Sequence, residues 1–304
     1  MLDVSQKPRS LRIAIACARL NLSPATIARI LDNAVPKGNP LEVAKVAAVQ
    51  AAKNTSNIIP YCHPLPVDFV GVDYDFGDSW IDTRVTIKAM YRTGVEMEAL
   101  TAAGIAALTL YDMMKMLDDS MSIGSIVLEK KRGGKAEFKT PYAKPLRAAV
   151  LVMSDSIAAG EKSDTSGRLI CDRLQSEGVD VEDYRIIPDE KMEIVDIVRS
   201  YADEQGIDLV VTTGGTGFSP RDCTPEAMAE IIERPAPGIS EAARAYGQER
   251  TPFSMLSRAQ AGLRGSTLIV NLPGSKKGVA DSLDALFPGV LHAFKMIRGG
   301  GHET

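Results

Sequence analysis

A chain of 304 residues is too long for one ordinary core, and 45% apolar with 24% charged residues describes a soluble globular protein, in two domains of about 150 residues each. A net charge of −4 supplies no basic field, which argues against nucleic acid as a partner. Four scattered cysteines without a C-x-x-C pair argue against a zinc site or a disulfide framework, and the absence of a secretory signal or membrane span predicts a cytoplasmic protein.

In chain order, Leu11 to Cys17 alternates large and small side chains, as a strand does. Ser23-Pro24 is a helix start that opens an amphipathic run to about Asn33. Asn39-Pro40 repeats that grammar and predicts a helix to Lys53, with Val43, Val46, Ala47, Gln50 and Ala51 on one stripe. In Ile58 to Leu65, Pro60 and Pro64 exclude a helix and fix the directions of Cys62 and His63. A lone histidine is more often structural, but these rigid flanks favour a positioned group. Val70 to Phe76 and Ile81 to Tyr91 alternate with period two around Gly77-Asp78, a hairpin.

Thr93-x-x-Glu96 reads as a capping box opening a long helix to about Leu117, apolar nearly all round and therefore buried. The apolar run within it, Leu100 to Met114, is shorter than a membrane span of about 20 residues. Glu98, Asp112 and Lys115 stand out there, because a buried charge is costly without a partner. Asp112 and Lys115 make either a structural ion pair or a chemical one. With a strand at Ile123 to Glu129, the order of elements predicts an α+β sandwich, ferredoxin-like in arrangement. Lys130 to Lys144, basic and broken by Gly and Pro, marks a domain boundary.

Beyond it the rhythm changes: strands at Arg147 to Ser154, Val181 to Ile187, Ile207 to Thr213 and Ser266 to Asn271, with helices at Ser166 to Glu177 and Lys191 to Glu204. Such alternation predicts a doubly wound, mostly parallel α/β sheet. The third strand runs into Thr212-Thr213-Gly214-Gly215-Thr216-Gly217, then Arg221-Asp222, then Thr224-Pro225 as the cap and first residue of a helix. Alone, G-G-T-G is as consistent with a tight turn as with a phosphate cradle lined by Thr213 and Thr216 hydroxyls. Ligands of open α/β sheets sit beyond the carboxyl ends of the strands. That edge gathers Asp155, Asp189, Asp222, the glycine bend and the loop Pro273-Gly274-Ser275-Lys276-Lys277-Gly278. Asp189 and Asp222 are oxygen ligands suited to Mg²⁺, and Mg²⁺ beside Gly-rich loops points to ATP or a similar nucleotide. Arg298 to Thr304 is expected to be a loose tail.

Several long strings carry a family resemblance. Residues 3 to about 140 resemble the MoaC family, the cyclic pyranopterin monophosphate synthases of molybdenum cofactor biosynthesis, in D-V-S-Q-K at 3–7, K-G-N-P at 37–40, I-P-Y-C-H-P-L at 59–65, T-G-V-E-M-E-A-L-T-A at 93–102 and L-Y-D-M-M-K at 110–115. Residues 147 to 297 are similar to the MoaB/MogA family of molybdopterin-binding proteins in S-D-S at 154–156, I-P-D-E at 187–190, T-T-G-G-T-G-F-S-P-R-D-C-T-P-E-A at 212–227, L-S-R at 256–258 and N-L-P-G-S at 271–275. The resemblance divides the chain into domains at 1–140 and 147–304. MoaC sequences usually run a dozen or so residues further before the D-V-S string, so one edge strand of that family is expected to be missing.

For the first domain the resemblance implies conversion of a cyclised GTP derivative to the cyclic pyranopterin with release of pyrophosphate. Asp112 and Lys115 would be the acid/base pair, Lys37 and His63 would hold the triphosphate, and Tyr61, Cys62, Met97 and Glu98 would line the pocket. Glu98 and Asp112 lie about 21 Å apart along one helix, so a site using both needs a second subunit of a homo-oligomer, a trimer or hexamer. For the second domain it implies transfer of AMP from ATP to molybdopterin, with Asp189 and Asp222 positioning Mg²⁺, Gly214, Gly215, Thr216 and Gly217 cradling phosphates, and Pro273, Gly274 and Ser275 helping to hold nucleotide or pterin. Some members of that family bind pterin without adenylylating it, which leaves a non-catalytic binding or assembly module as the alternative.

Overall fold

The structure, a computed structural model, describes residues 1–300. It resolves into two compact units, Met1–Glu137 and the chain from Phe138 onward.

The first unit runs β1 (Ser10–Asn21), α1 (Pro24–Leu31), α2 (Pro40–Ile58), β2 (Phe69–Phe76), β3 (Trp80–Tyr91), α3 (Glu96–Met114) and β4 (Ser122–Arg132). The strands pair antiparallel in the order β2-β3-β1-β4, the order of a ferredoxin-like split βαβ sheet. Alternate residues of β1 (Ala14, Ala16, Ala18, Leu20) and β3 (Ile81, Val85, Ile87, Ala89) meet the alanines of α2 and α3 in one core. Small side chains on both layers let α3 lie close to the sheet.

Ser23 caps α1, its hydroxyl accepting from the Thr26 amide, and Asn39 caps α2 by accepting from Leu41 and Glu42, as their sequences predict. Other readings need correction. The buried face of α2 is Ala44, Ala48, Ala51, Ala52 and Thr55, while Val43 and Val46 are exposed, because only the smaller residues permit contact with α3. Thr93 caps nothing: α3 starts after Val95 with no side-chain cap, and the Glu96 carboxylate folds back over Gly94. The helix stops at Met114, and β4 continues to Arg132 through residues read as a linker.

Asp118, just past α3, accepts from the Ser23 amide (2.7 Å), the Thr26 hydroxyl (3.0 Å) and the Ser120 amide and hydroxyl (3.0 and 2.6 Å). These donors, led by Ser120, hold its carboxyl well below the usual carboxylate range. Asp118→Ala leaves donors without partners and is expected to cost about 2–3 kcal/mol, read as a lower thermal midpoint. Because the folded pKa is depressed, that contribution is present above the ordinary carboxylate value and lost as pH falls through the folded one.

The second unit contains β5 (Leu146–Met153), α4 (Asp155–Ala158), α5 (Ser166–Ser176), β6 (Val179–Ile187), α6 (Lys191–Arg199), β7 (Leu209–Thr213), α7 (Thr224–Ile231), β8 (Arg234–Pro235), α8 (Pro237–Gln248), β9 (Ala261–Arg264), β10 (Thr267–Leu272), α9 (Lys276–Leu286) and α10 (Ala293–Ile297). Its sheet order is β6-β5-β7-β10-β9-β8, with the first four parallel, β9 antiparallel to β10 and β8 antiparallel to β9. Odd and even residues of β5 feed two cores on opposite faces, Ala148 and Val150 on one, Ala149 and Leu151 on the other, so the sheet is doubly wound. The chain reverses its direction of winding between β5 and β7, which opens the switch-point crevice at their carboxyl ends.

Here too local readings are corrected. The helix after β6 ends at Arg199 and continues as a π turn over Ser200–Glu204. Lys276 already belongs to α9, so P-G-S-K-K-G is half loop and half helix. Arg298, in the expected tail, pairs with Asp208 at 2.9 Å, and residues 301–304 lie outside the described residues.

Candidate active sites

In the first unit the predicted residues form two groups. Lys37, Asp112 and Lys115 meet at the carboxyl end of α3: Lys37 Nζ donates to the Asp112 carbonyl (2.7 Å) and to Oδ2 (3.0 Å), while Lys115 Nζ lies 2.8 Å from Oδ1. The expectation of a buried pair is corrected, since both side chains are 57% exposed at the end of α3. The ammonium of Lys115, then that of Lys37, lowers the Asp112 pKa, and Asp112 raises that of Lys115.

Tyr61, Cys62, His63, Met97 and Glu98 gather at the other end of α3, around a cleft of about 580 Å³ that Leu2, Lys7 and Glu96 also line. Glu98 is only 4% exposed, and burial pushes its carboxyl up. Burial and then the charge of Glu98 push the Cys62 thiol up as well. His63 Nε2 lies 2.8 Å from the Leu2 carbonyl, to which it donates in the Nε2-protonated tautomer. Within this chain Lys37 and His63 are thus not brought together.

In the second unit the predicted residues converge. Gly214 (φ +108°) and Gly215 (φ +59°) take left-handed conformations that L side chains rarely adopt. A Cβ on Gly214 would lie 2.0 Å from the Met153 carbonyl of β5, and one on Gly215 would lie 2.6 and 2.7 Å from the Asp189 carboxylate oxygens. A Cβ on Gly217 would lie 2.9 Å from Asp222 Oδ2. Both carboxylates therefore lie close against the glycine bend, Asp189 at Gly215 and Asp222 at Gly217. The P-G-S loop closes the rim: the Pro273 carbonyl accepts from the Thr213 hydroxyl (2.6 Å), the Gly274 carbonyl from Ser166 (3.0 Å), and Ser275 caps α9 through the Gly278 amide. That bond removes Thr213 from the set of phosphate donors, a correction to the sequence reading.

Asp189 is buried at 8% exposure, and desolvation pushes its pKa up, opposed by the Cys223 thiol contact and helped by the charges of Asp222 and Asp155. Cys223 Sγ donates to its Oδ1 (3.5 Å) and backbone carbonyl (3.3 Å), and the Thr224 hydroxyl to Oδ1 (3.4 Å). This use explains why Thr224 is not the cap: the cap position is Cys223, and Thr224 is the first helical residue. Sequence reasoning assigned no role to Arg221, which binds Asp155 and Glu190, or to Arg258, which grips the carbonyls of Gly217 (2.8 Å) and Asp222 (2.7 Å) and pairs with Glu226. The L-S-R string was the only signal for Arg258.

Two unrelated folds, each with a cluster of charged side chains, define a chain of two domains with a candidate site in each. The MoaC family matches residues 1–134, and the family described as "Probable molybdopterin binding domain" matches residues 149–293. The chain belongs to the bifunctional molybdenum cofactor biosynthesis family, a MoaC domain followed by a MoaB/MogA-type domain. It is 44% identical over 302 residues to the molybdenum cofactor biosynthesis bifunctional protein of Chlorobaculum tepidum, covering 99% of this chain and 96% of that one. A protein of the same name from Synechococcus elongatus is 36% identical across 100% of this chain and 99% of its own length. The cyclic pyranopterin monophosphate synthase of Pelobacter propionicus is 49% identical over 138 residues, 45% of this chain and 86% of that one. Among solved structures, MoaB of Thermus thermophilus is 42% identical, with a TM-score of 0.49 over 52% of this chain and 99% of that one. Among the described residues no helix is long and apolar enough to cross a membrane.

Proposed function

We propose that the first unit converts a cyclised GTP derivative to cyclic pyranopterin monophosphate, releasing pyrophosphate, and that the second adenylylates molybdopterin with ATP. The first half of this reading rests on the Lys37-Asp112-Lys115 cluster in a domain that shares its family with named synthases. Two ammonium groups on one carboxylate suit the binding of a polyphosphate and the movement of protons during a rearrangement.

Neither group of residues is a full site alone, and α3 supplies the reason to expect a second copy. Thr101, Ile105, Leu108, Asp112 and Lys115 recur every three or four residues along one stripe, with Leu108 53% exposed and Glu98 at its start. Ile105 is midway between Glu98 and Asp112, about 10 Å from each along the axis. Glu98 at one end of the stripe and the Lys115 and Lys37 ammonium groups at the other bring opposite charges together when two copies lie antiparallel. Such a pair brings the cleft of one protomer to the lysine cluster of its partner, in a homo-oligomer. Glu98→Gln and Asp112→Asn chains are each expected to be inactive, and subunit exchange between them to restore about a quarter of the sites, because half of random pairs are mixed and each mixed pair holds one intact site. No recovery after verified exchange would exclude a shared site.

The reading of the second unit rests on Asp189 and Asp222 flanking the glycine bend at the switch point. This donor set fits a Mg²⁺ carried by a nucleotide, which takes one or two carboxylates and phosphate oxygens rather than an all-protein cage. When bound, the ion neutralises phosphate charge. The chain's own residues hold the polyphosphate against the backbone of 214–217, and Lys276 and Lys277, on the first turn of α9, add positive charge. Incubating the full-length chain with molybdopterin, ATP and Mg²⁺ tests this. Pterin binding without pyrophosphate release or adenylylated product would make this half a binding module.

A further inference from the structure

Arg221 sits on the exposed segment between the glycine bend and α7, yet its guanidinium makes three hydrogen bonds to residues that follow two other strands, Asp155 and Glu190. Nε and Nη2 reach Asp155 Oδ2 and Oδ1 at 3.2 and 3.1 Å, and Nη2 also reaches Glu190 Oε1 at 2.9 Å. Asp155 follows β5, Glu190 follows β6 and Arg221 follows β7, so one side chain ties together the ends of three adjacent strands. Asp155 Oδ1 also accepts the backbone amide of Asp189 at 3.0 Å. The same oxygen thus links Arg221 to the residue whose carboxylate presses on Gly215.

These pairs are poorly placed to stabilise the fold. The Arg221, Asp155 and Glu190 side chains are all at least half exposed, where ion pairs contribute little. The segment is independently anchored, because Arg258 holds the Gly217 and Asp222 carbonyls from the protein side. What the Arg221 contacts do fix is direction. They set the Asp189 backbone through Asp155, and they hold the segment bearing Asp222 across the ends of β5 and β6.

We propose that Arg221 is a positioning residue of the second unit: through Asp155 it orients Asp189, and with it the gap between Asp189 and Asp222 in which a cation–nucleotide complex is held. The inference deepens the reading of that unit as a site for a nucleoside triphosphate with a divalent cation, and rests on it. A lysine cannot replace the arginine, because a point charge cannot span Asp155 and Glu190 in the fork geometry.

The test uses the full-length chain and its Arg221→Ala, Arg221→Lys, Asp155→Asn and Arg221→Ala/Asp155→Asn variants. Three quantities are read: the thermal midpoint, Mn²⁺ binding in the presence of ATP followed by the free-ion electron paramagnetic resonance signal, and adenylyl transfer resolved into kcat and KM. Outer contacts that orient cation ligands are worth about 10–100-fold in affinity or rate. Each single variant is therefore expected to weaken Mn²⁺·ATP binding about tenfold with an unchanged midpoint, the double variant to be no worse than either single one, and Arg221→Lys to recover only part of the loss. Wild-type Mn²⁺·ATP affinity in Arg221→Ala, losses that add in the double variant, or a midpoint that falls in step with the binding would each overturn the proposal. If the parent chain binds Mn²⁺·ATP but transfers no adenylyl group, the transferase reading fails while Arg221 is still judged by the binding. A parent chain that binds no Mn²⁺·ATP overturns both.

Discussion

Replacing Asp112 with Asn is expected to slow formation of the cyclic pyranopterin by about 10² to 10⁴, the range for loss of a proton-transfer group, with the circular dichroism unchanged. The fold should not notice, because the side chain is more than half exposed and belongs to no core. The chemistry should, because this carboxylate anchors two ammonium groups, Lys115 at 2.8 Å and Lys37 at 3.0 Å. Asparagine keeps the bond from Lys37 to the backbone carbonyl but offers no charge to either lysine. In the parent protein Asp112 raises the Lys115 pKa, so Lys115 stays protonated and Asp112 ionised through neutral pH. In the proposed reaction Lys115 would then be the proton donor of the pair and Asp112 the acceptor. Removing the carboxylate lowers the Lys115 pKa toward its ordinary value, so the alkaline limb of the residual activity should move to lower pH. Pyrophosphate release followed across pH decides the matter. Turnover within a few-fold of the parent, with an unmoved alkaline limb, would remove Asp112 from the mechanism.

What could be read in the sequence divides along the range of the interactions concerned. Ser23 and Asn39 are legible caps because a cap is decided within three residues, and each side-chain oxygen still accepts from an amide of its own first turn. Thr224 has the same local grammar and fails, because its hydroxyl goes to Asp189, far away in the chain but adjacent in space. The stripe on α2 fails for a related reason. A helix built from Ala and Val has little amphipathic contrast, and the packing distance to α3, absent from any local pattern, selects the alanines.

The sites follow the same rule. Asp189, Asp222 and the glycine bend can be placed on one rim because strand ends in a parallel sheet share an edge. The reach of Arg221 to Asp155 and Glu190 cannot, since it depends on β5 and β6 being neighbours in that order. For α3, an apolar sequence predicts burial throughout. Along the stripe, Thr101 and Ile105 are half-buried while Leu108, Asp112 and Lys115 are exposed, and Lys37 joins the charges there from a distant loop.

Asp189→Asn and Asp222→Asn are expected to reduce adenylyl transfer by on the order of 10² to 10³, as loss of a preorganised charge at a reacting phosphate does, and to do so without unfolding the protein. Neither variant should melt appreciably below the parent, and that is diagnostic. Asp189 is buried, and desolvation raises its pKa, so the ionised form is the one the fold disfavours. A carboxyl whose folded pKa is raised costs stability once pH exceeds its unfolded value. Asparagine removes that cost while its carbonyl can still accept from Cys223 and Thr224. Asp189→Asn should therefore melt no lower than the parent at neutral pH. Asp222 receives the Ser219 amide at 2.8 Å, an interaction an asparagine oxygen reproduces, so its variant should melt close to the parent. An arrangement that keeps a destabilising charge beside a glycine bend is what a binding site requires and a core does not. Thermal melts beside adenylyl transfer assays separate the cases: a melting point several degrees lower in Asp189→Asn would make that residue a structural anchor, and undiminished transfer in both variants would take the carboxylates out of the reaction.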